Sequence, residues 1–215
     1  GKKRGGGGGG VGVGGGGEGG GGGEGGDRAK EAAEKYGVEG AKYYQDYNEL
    51  LADESIDLVH VCTPNVSHSP ITVAAFEAGK HVLCEKPMAH TPEAAQLMMD
   101  AWRKSGKKFT IGYQNRFRKE VTALHEACAN GDLGEIYFAK AHAIRRKAVP
   151  TWGVFPDKSQ QGGGPLIDIG THALDITLWM MNNYDVESVT GSVFHKLGNL
   201  PGAEAGNLFG PWDTS

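Results

Sequence analysis

Short apolar runs alternate with longer polar and amphipathic stretches over residues 27–113. The apolar runs are rich in β-branched residues, which is typical of buried strands. The stretches between them are rich in helix formers, and several end at a glycine. The pattern predicts helices over 27–37, 47–51, 68–79 and 91–105, and strands over 56–62, 80–84 and 108–113. This alternation predicts a doubly wound parallel sheet, because each parallel strand needs a crossover connection.

The pattern changes near residue 118, where we expect a second domain to begin. Apolar and polar residues alternate over 136–144 and 186–195, as in strands with one buried face. Helices are predicted over 119–130 and 168–181, whereas residues 198–215 have the composition of a loop. We therefore expect a domain over 1–117 and an α+β domain over 118–215.

Composition and charge exclude several classes of protein. The 215 residues are 39% hydrophobic, enough to bury a core, and the formal net charge of −4 with scattered cations argues against a nucleic-acid partner. The sequence has neither an apolar run of membrane-spanning length nor a secretion signal, so we expect a cytoplasmic protein without membrane contact. Three cysteines without a C-x-x-C pair argue against disulfides and structural zinc. Cys62 and Cys84 fall in predicted buried strands.

The first 26 residues contain 19 glycines, whereas the other 189 contain 17. Taken literally, such a tract is a flexible chain without a core. Gly10, Gly12 and Gly15 nevertheless follow the G-x-G-x-x-G frame of a dinucleotide-binding turn, although a glycine tract gives this frame almost automatically. We interpret many of these glycines as positions whose side chains are not assigned, within a natural strand–helix–strand segment.

Two predicted strands of the first domain end in loops whose residues suit ligand binding. Open α/β sheets bind ligands at the carboxyl ends of their strands. A lysine there can stabilise a developing alkoxide or transfer a proton. Taken alone, the same residues also suit ordinary turns. The residues of interest are Thr63, Pro64, Asn65, His68, Glu85, Lys86 and Pro87.

The second domain has a glycine-rich segment, residues 162–164, before a predicted helix with Asp168 and His172. Their spacing of four places both side chains on one helix face. A neutral histidine accepts a proton near pH 7, and Asp175 can orient its ring. The alternative is an amphipathic helix with His172 at the edge of its apolar face. Asp168 and His172 could also be metal ligands, but two ligands without a third Cys, His or carboxylate do not make a site, so no metal site is predicted.

Residues 84–87, Cys-Glu-Lys-Pro, and residues 162–172, Gly-Gly-Gly-Pro-Leu-Ile-Asp-Ile-Gly-Thr-His, resemble the Gfo/Idh/MocA family of nicotinamide-dependent oxidoreductases. The resemblance covers about residues 27–215. It implies a Rossmann domain followed by an α+β domain with a large, mostly antiparallel sheet. That sheet continues well beyond this length in the family, so we expect the chain to be truncated.

The resemblance also implies the roles of individual residues. Lys86, Asp168 and His172 would be catalytic, and the cofactor would be NAD or NADP. Substrate contacts would come from Arg116, Trp152, Asp168 and His172. Cofactor contacts would come from Gly10, Gly12, Gly15, Thr63, Pro64, Asn65, His68, Glu85, Lys86 and Gln114.

The function that the resemblance implies is hydride transfer between this cofactor and a secondary alcohol of a sugar, an inositol or a related polyol. We expect a homo-oligomer, either a dimer or a tetramer. Two alternatives share the scaffold. One is glycoside cleavage through transient oxidation by tightly bound NAD, and the other is a non-catalytic regulator that binds dinucleotide or sugar.

Overall fold

The computed structural model describes residues 24–144, 150, 153–194 and 196. It divides into two compact units, residues 1–112 and 113–215. The predicted glycine-rich turn at Gly10, Gly12 and Gly15 and the predicted substrate residue Trp152 lie outside the described residues. Within those residues, no helix combines the length and the apolar character needed to cross a membrane.

The first unit alternates helices and strands, as its sequence predicts. Helix α3 begins three residues before its predicted start, and helix α4 begins at Pro92 after Thr91, whose hydroxyl accepts a hydrogen bond from the Ala94 N–H. The elements in chain order are α1 (Glu24–Tyr36), α2 (Tyr47–Ala52), β1 (Leu58–Val61), α3 (Asn65–Glu77), β2 (His81–Cys84), α4 (Pro92–Ser105) and β3 (Phe109–Ile111).

The three strands form one parallel sheet in the order β1-β2-β3, so the prediction of a parallel sheet is confirmed. Its register pairs Val61 with Cys84 and Cys84 with Ile111. The ladder continues one residue further, because the Glu85 N–H donates to the Val61 carbonyl and the Gly112 N–H donates to the Cys84 carbonyl. Residues 62, 85 and 112 therefore meet at the carboxyl edge of the sheet.

The core of the first unit lies between this sheet and the helices α3 and α4. Phe76 of α3 meets Phe109 of β3 edge to face, with ring centroids 5.3 Å apart. Burial raises the pKa of the Cys84 thiol to about 12, so this cysteine stays protonated and packs as a small apolar residue. Cys62, by contrast, is exposed, so the prediction that it lies in a buried strand is wrong.

The described part of the second unit is helical. It contains a 3₁₀ helix (Gln114–Phe117), α5 (Lys119–Asn130), α6 (Lys158–Gln161), a π-helical turn (Leu166–Gly170) and α7 (Thr171–Met181). Helix α5 has the predicted limits, 119–130. The predicted helix over 168–181 begins earlier, and its first five residues form the π-helical turn.

The predicted strands over 136–144 and 186–195 are absent from the described residues of the second unit. Alternation alone does not make a strand, because a strand also needs a partner and a buried face. Here Tyr137 and Phe138 are exposed, and so are Val189 and Val193 on the other segment. The antiparallel sheet therefore has no counterpart in the described part of this unit.

Candidate functional site

The loop after β1 turns directly into α3, whose first residue is Asn65. Pro64 precedes the helix with extended backbone angles, and Asn65 is buried. The Thr63 hydroxyl oxygen is also buried, and it has no hydrogen-bond partner among the described residues. A buried hydroxyl without a partner is costly, so this oxygen is suited to a ligand that supplies the missing bond.

His68 ties this loop to the one after β2. Its side chain is 1% exposed, with Nδ1 2.8 Å from the Pro87 carbonyl oxygen and Nε2 2.8 Å from the Thr63 carbonyl oxygen. A ring so enclosed has almost no surface to offer a ligand. His68 therefore holds the two loops close to each other, and its predicted contact with the cofactor stays a prediction.

The loop after β2 carries Glu85, Lys86 and Pro87 at the carboxyl edge of the sheet. Lys86 is partly buried, and the Lys86–Pro87 peptide bond is cis. The Glu85 carboxylate lies directly over Gly112: a Cβ built on Gly112 would be 2.9 Å from its Oε2 and 3.0 Å from its Oε1. Such contacts are too close for a real Cβ, so glycine at this position makes room for the carboxylate.

Glu85 also belongs to a cluster of possible metal ligands that the sequence did not indicate. The side chains of His60, Cys62 and Glu85 place their potential ligand atoms within 4.8 Å of one another. Sequence reasoning missed this group because Glu85 is 25 residues beyond His60. Two features of the sequence could have indicated it. His60 and Cys62 are two residues apart on a predicted strand, so they share one face, and Glu85 follows the end of the next predicted strand.

In the second unit, Arg116 forms a two-point ion pair with Asp175. Its Nε donates to Asp175 Oδ2 at 2.9 Å, and its Nη2 donates to Asp175 Oδ1. The Asp175 side chain is 8% exposed, and the hydrogen bond that Arg116 donates to it raises the pKa of Arg116. The guanidinium also lies 5.0 Å from the centroid of the Trp179 ring.

This pair bears on two predicted roles. Both Asp175 carboxylate oxygens accept hydrogen bonds from Arg116, and the role considered for Asp175 as the orienting partner of His172 stays a prediction. The guanidinium that was expected to contact substrate is committed to the same carboxylate. Two-point pairs of this kind fix geometry. Arg116 therefore joins the 3₁₀ helix to α7, and a contact with substrate remains a prediction.

His172 is the second residue of α7 and is 9% exposed. The Tyr113 ring meets the His172 ring edge to face, with centroids 6.2 Å apart, and the Tyr113 hydroxyl is 3.0 Å from Thr171 Oγ1. Sequence reasoning did not select Tyr113, although it borders the predicted site residue Gln114, which is exposed.

Asp168 lies in the π-helical turn that leads into α7. Its backbone N–H donates to the Gly164 carbonyl at 3.2 Å, which links it to the glycine-rich segment. Short π-helical segments widen the helix locally and are frequent at functional sites. The sequence predicts that Asp168 and His172 share one face of a regular α-helix. In the structure Asp168 lies in the π-helical turn and His172 lies in α7, so the boundary between the two kinds of helix falls between them.

Comparison with known proteins identifies the class to which this chain belongs. Residues 23–113 match the family profile described as an oxidoreductase family with an NAD-binding Rossmann fold, and residues 121–205 match the GFO/IDH/MocA C-terminal domain. The chain belongs to the Gfo/Idh/MocA oxidoreductase family, and residues 23–113 belong to its NAD-binding Rossmann domain.

Individual relatives agree with this assignment. The chain is 45% identical over 188 residues to the D-glucoside 3-dehydrogenase of Escherichia coli, a match that covers 87% of this chain and 52% of the relative. It is 32% identical over 163 residues to the myo-inositol 2-dehydrogenase of Thermotoga maritima, covering 76% of this chain and 46% of the relative. The chain thus spans about half the length of these relatives.

Solved structures show the same likeness. A probable dehydrogenase from Thermotoga maritima superposes with a TM-score of 0.63 at 31% identity, over 74% of this chain and 46% of that one. The complex of levoglucosan dehydrogenase with NADH and levoglucosan gives 0.60 at 30% identity, over 72% of this chain and 42% of that one.

Proposed function

We propose that the protein is an NAD- or NADP-dependent oxidoreductase that transfers a hydride between the nicotinamide and a secondary alcohol of a sugar or polyol. The observation that carries the proposal is the position of Glu85 and Lys86 at the carboxyl edge of the Rossmann sheet. This is where doubly wound sheets bind dinucleotides. The relatives named for glucoside and inositol oxidation favour a glycoside or cyclitol substrate.

The residues at this edge fit a dinucleotide. The buried Thr63 hydroxyl oxygen has no partner within the described residues, and the Glu85 carboxylate is given room by Gly112. A carboxylate accepts hydrogen bonds from ribose hydroxyls. Pro64 and Asn65 shape the same loop. We assign the main contacts with the cofactor to Thr63, Pro64, Asn65, Glu85 and Lys86. Gln114 and the glycines at 10, 12 and 15 are assigned as further contacts.

When bound, the cofactor would supply the nicotinamide that takes up or gives back the hydride. We assign the transfer of the hydroxyl proton to residues of the chain itself. His172 accepts the proton of the substrate hydroxyl, Lys86 stabilises the resulting alkoxide by its charge, and Asp168 positions the hydroxyl. These groups act mainly through orientation and electrostatics. His68 and Arg116 are positioning residues, since His68 fixes the loops around the cofactor and Arg116 fixes the 3₁₀ helix to α7.

Gly112→Ala tests the proposal that Glu85 contacts the dinucleotide. The new methyl group displaces the carboxylate, so we expect the KM for the dinucleotide to rise about fivefold to tenfold, the equivalent of one lost hydrogen bond. The value of kcat should change by less than about twofold, because the displaced Glu85 carboxylate has no part in the proposed proton transfer.

The matched control for this substitution is Gly191→Ala, since a Cβ at Gly191 meets nothing within 4 Å and its backbone angle suits any residue. Steady-state kinetics with the dinucleotide varied give both constants. An unchanged KM in Gly112→Ala would remove Glu85 from the cofactor site.

The direct test of the proposal is to mix the whole protein with NAD or NADP and a panel of glycosides, sugars and inositols, and to follow absorbance of the reduced nicotinamide. We expect reduced cofactor to accumulate with at least one glycoside or cyclitol. A glycoside that is consumed without net reduction would indicate cleavage through transient oxidation. Tight dinucleotide binding with no substrate turned over would indicate a regulator. The homo-oligomer stays a prediction.

A further inference from the structure

Three side chains of different chemistry meet at the carboxyl edge of the sheet. His60 lies on β1, Cys62 follows the end of β1, and Glu85 follows the end of β2. Side chains two apart along a strand point to the same face, so His60 and Cys62 share one face. The register pairs Val61 with Cys84, and Glu85 is therefore beside Cys62 on the neighbouring strand. The backbone of the sheet itself brings the three together.

The distances between these groups suit a common ligand. His60 Nε2 is 3.2 Å from Glu85 Oε1, and the potential ligand atoms of all three residues lie within 4.8 Å of one another. Zinc binds sulfur at about 2.3 Å and nitrogen or oxygen at about 2.0–2.2 Å, which places tetrahedral ligands about 3.3–3.8 Å apart. The pair of His60 Nε2 and Glu85 Oε1 is already close to that spacing, and the other pairs lie within 4.8 Å.

The chemistry of the three donors selects the metal. An imidazole nitrogen, a thiolate sulfur and a carboxylate oxygen are all common zinc ligands. Thiolate and imidazole favour zinc and copper over magnesium and calcium, which prefer oxygen ligands alone. The site is also reachable from solvent, since His60 and Cys62 are exposed.

We propose that His60, Cys62 and Glu85 form a zinc site, with a water molecule as the fourth ligand. On binding, the Cys62 thiol loses its proton to solvent and the thiolate coordinates the metal, as metal binding to cysteine requires. The site lies outside the catalytic residues Lys86, Asp168 and His172, and it needs no part of the hydride-transfer chemistry.

The site has a consequence for cofactor binding, and this step rests on the proposed function. The same Glu85 carboxylate is assigned to the ribose of the dinucleotide. A carboxylate that coordinates zinc cannot also accept the ribose hydroxyls in the same geometry. Zinc and dinucleotide therefore compete for Glu85, which makes zinc an inhibitor competitive with the cofactor.

The test of the site uses cobalt as a spectroscopic substitute for zinc in the whole protein, without dinucleotide. We expect an absorption band from charge transfer between the Cys62 thiolate and cobalt, and its loss when zinc is added. Cys62→Ser should abolish the band, and His60→Gln should weaken cobalt binding about tenfold or more. Cys128→Ser is the matched control, because Cys128 lies on α5 in the other unit, and it should leave the band unchanged.

A wild-type protein without the band, or a Cys62→Ser variant that keeps it, would overturn the proposal. Circular dichroism of the variants checks that each is folded. Zinc affinity measured with and without saturating dinucleotide then separates the two proposals. A fall in zinc affinity of about tenfold or more supports competition at Glu85. Zinc binding that dinucleotide does not alter would leave the metal site standing and remove Glu85 from the cofactor site.

Discussion

Lys86→Ala is expected to lower kcat by about a thousandfold, in the range seen when one group that stabilises transition-state charge is removed. The alkoxide that forms as the substrate hydroxyl loses its proton then has no cation beside it. Dinucleotide affinity should fall much less, by about tenfold at most, because Glu85 and the loop after β1 remain. The measurement is single-turnover hydride transfer together with direct titration of the dinucleotide.

Two further variants define the role of Lys86. Lys86→Arg keeps the positive charge but cannot donate and regain a proton near neutral pH, so we expect it to recover part of the lost rate. Lys104→Ala removes an exposed lysine from the last turn of α4 and should have the rate of the wild-type protein. Wild-type turnover in Lys86→Ala would contradict the assignment of this lysine.

His172→Ala is expected to lower the rate of alcohol oxidation by about 10²–10⁴-fold, the usual contribution of a positioned general base. A histidine base works only in its neutral form. In the wild-type protein the rate should therefore fall as the solution becomes acidic enough to protonate it. This acid limb should be missing from the residual activity of His172→Ala. The measurement is the pH dependence of kcat/KM in both proteins.

The matched control for His172 is His125→Ala in the same unit. His125 stacks on Trp179, with ring centroids 3.7 Å apart, so its loss affects packing rather than proton transfer. We expect this variant to unfold at a lower temperature but to keep both its rate at a temperature where it is folded and the acid limb. An acid limb that survives in His172→Ala would assign the base to another residue.

The elements of the first unit could be predicted because their signals are local. Thr91 and Pro92 mark the start of α4, and the β-branched residues before Cys62 mark β1. Lys119–Asn130 was predicted with its observed limits for the same reason, since Gly131 has the left-handed backbone that ends a helix.

The sequence could not predict features that depend on contacts between distant residues. Arg116 and Asp175 are 59 residues apart, and nothing near either one indicates the ion pair. The same holds for the group formed by His60 and Glu85. Over 136–144 and 186–195 the sequence predicts strands that the described residues do not form. The alternation of apolar and polar residues is a local signal, and it does not show whether a strand has a partner to pair with.

The two contacts of His68 reduce the entropy that the proposed cofactor site has to lose. Two loops that follow separate strands would otherwise each lose conformational freedom when a ligand orders them. Because one buried ring holds Thr63 and Pro87 together, that freedom is already lost in the folded chain. The binding energy of a dinucleotide is then available for affinity and orientation instead of loop ordering.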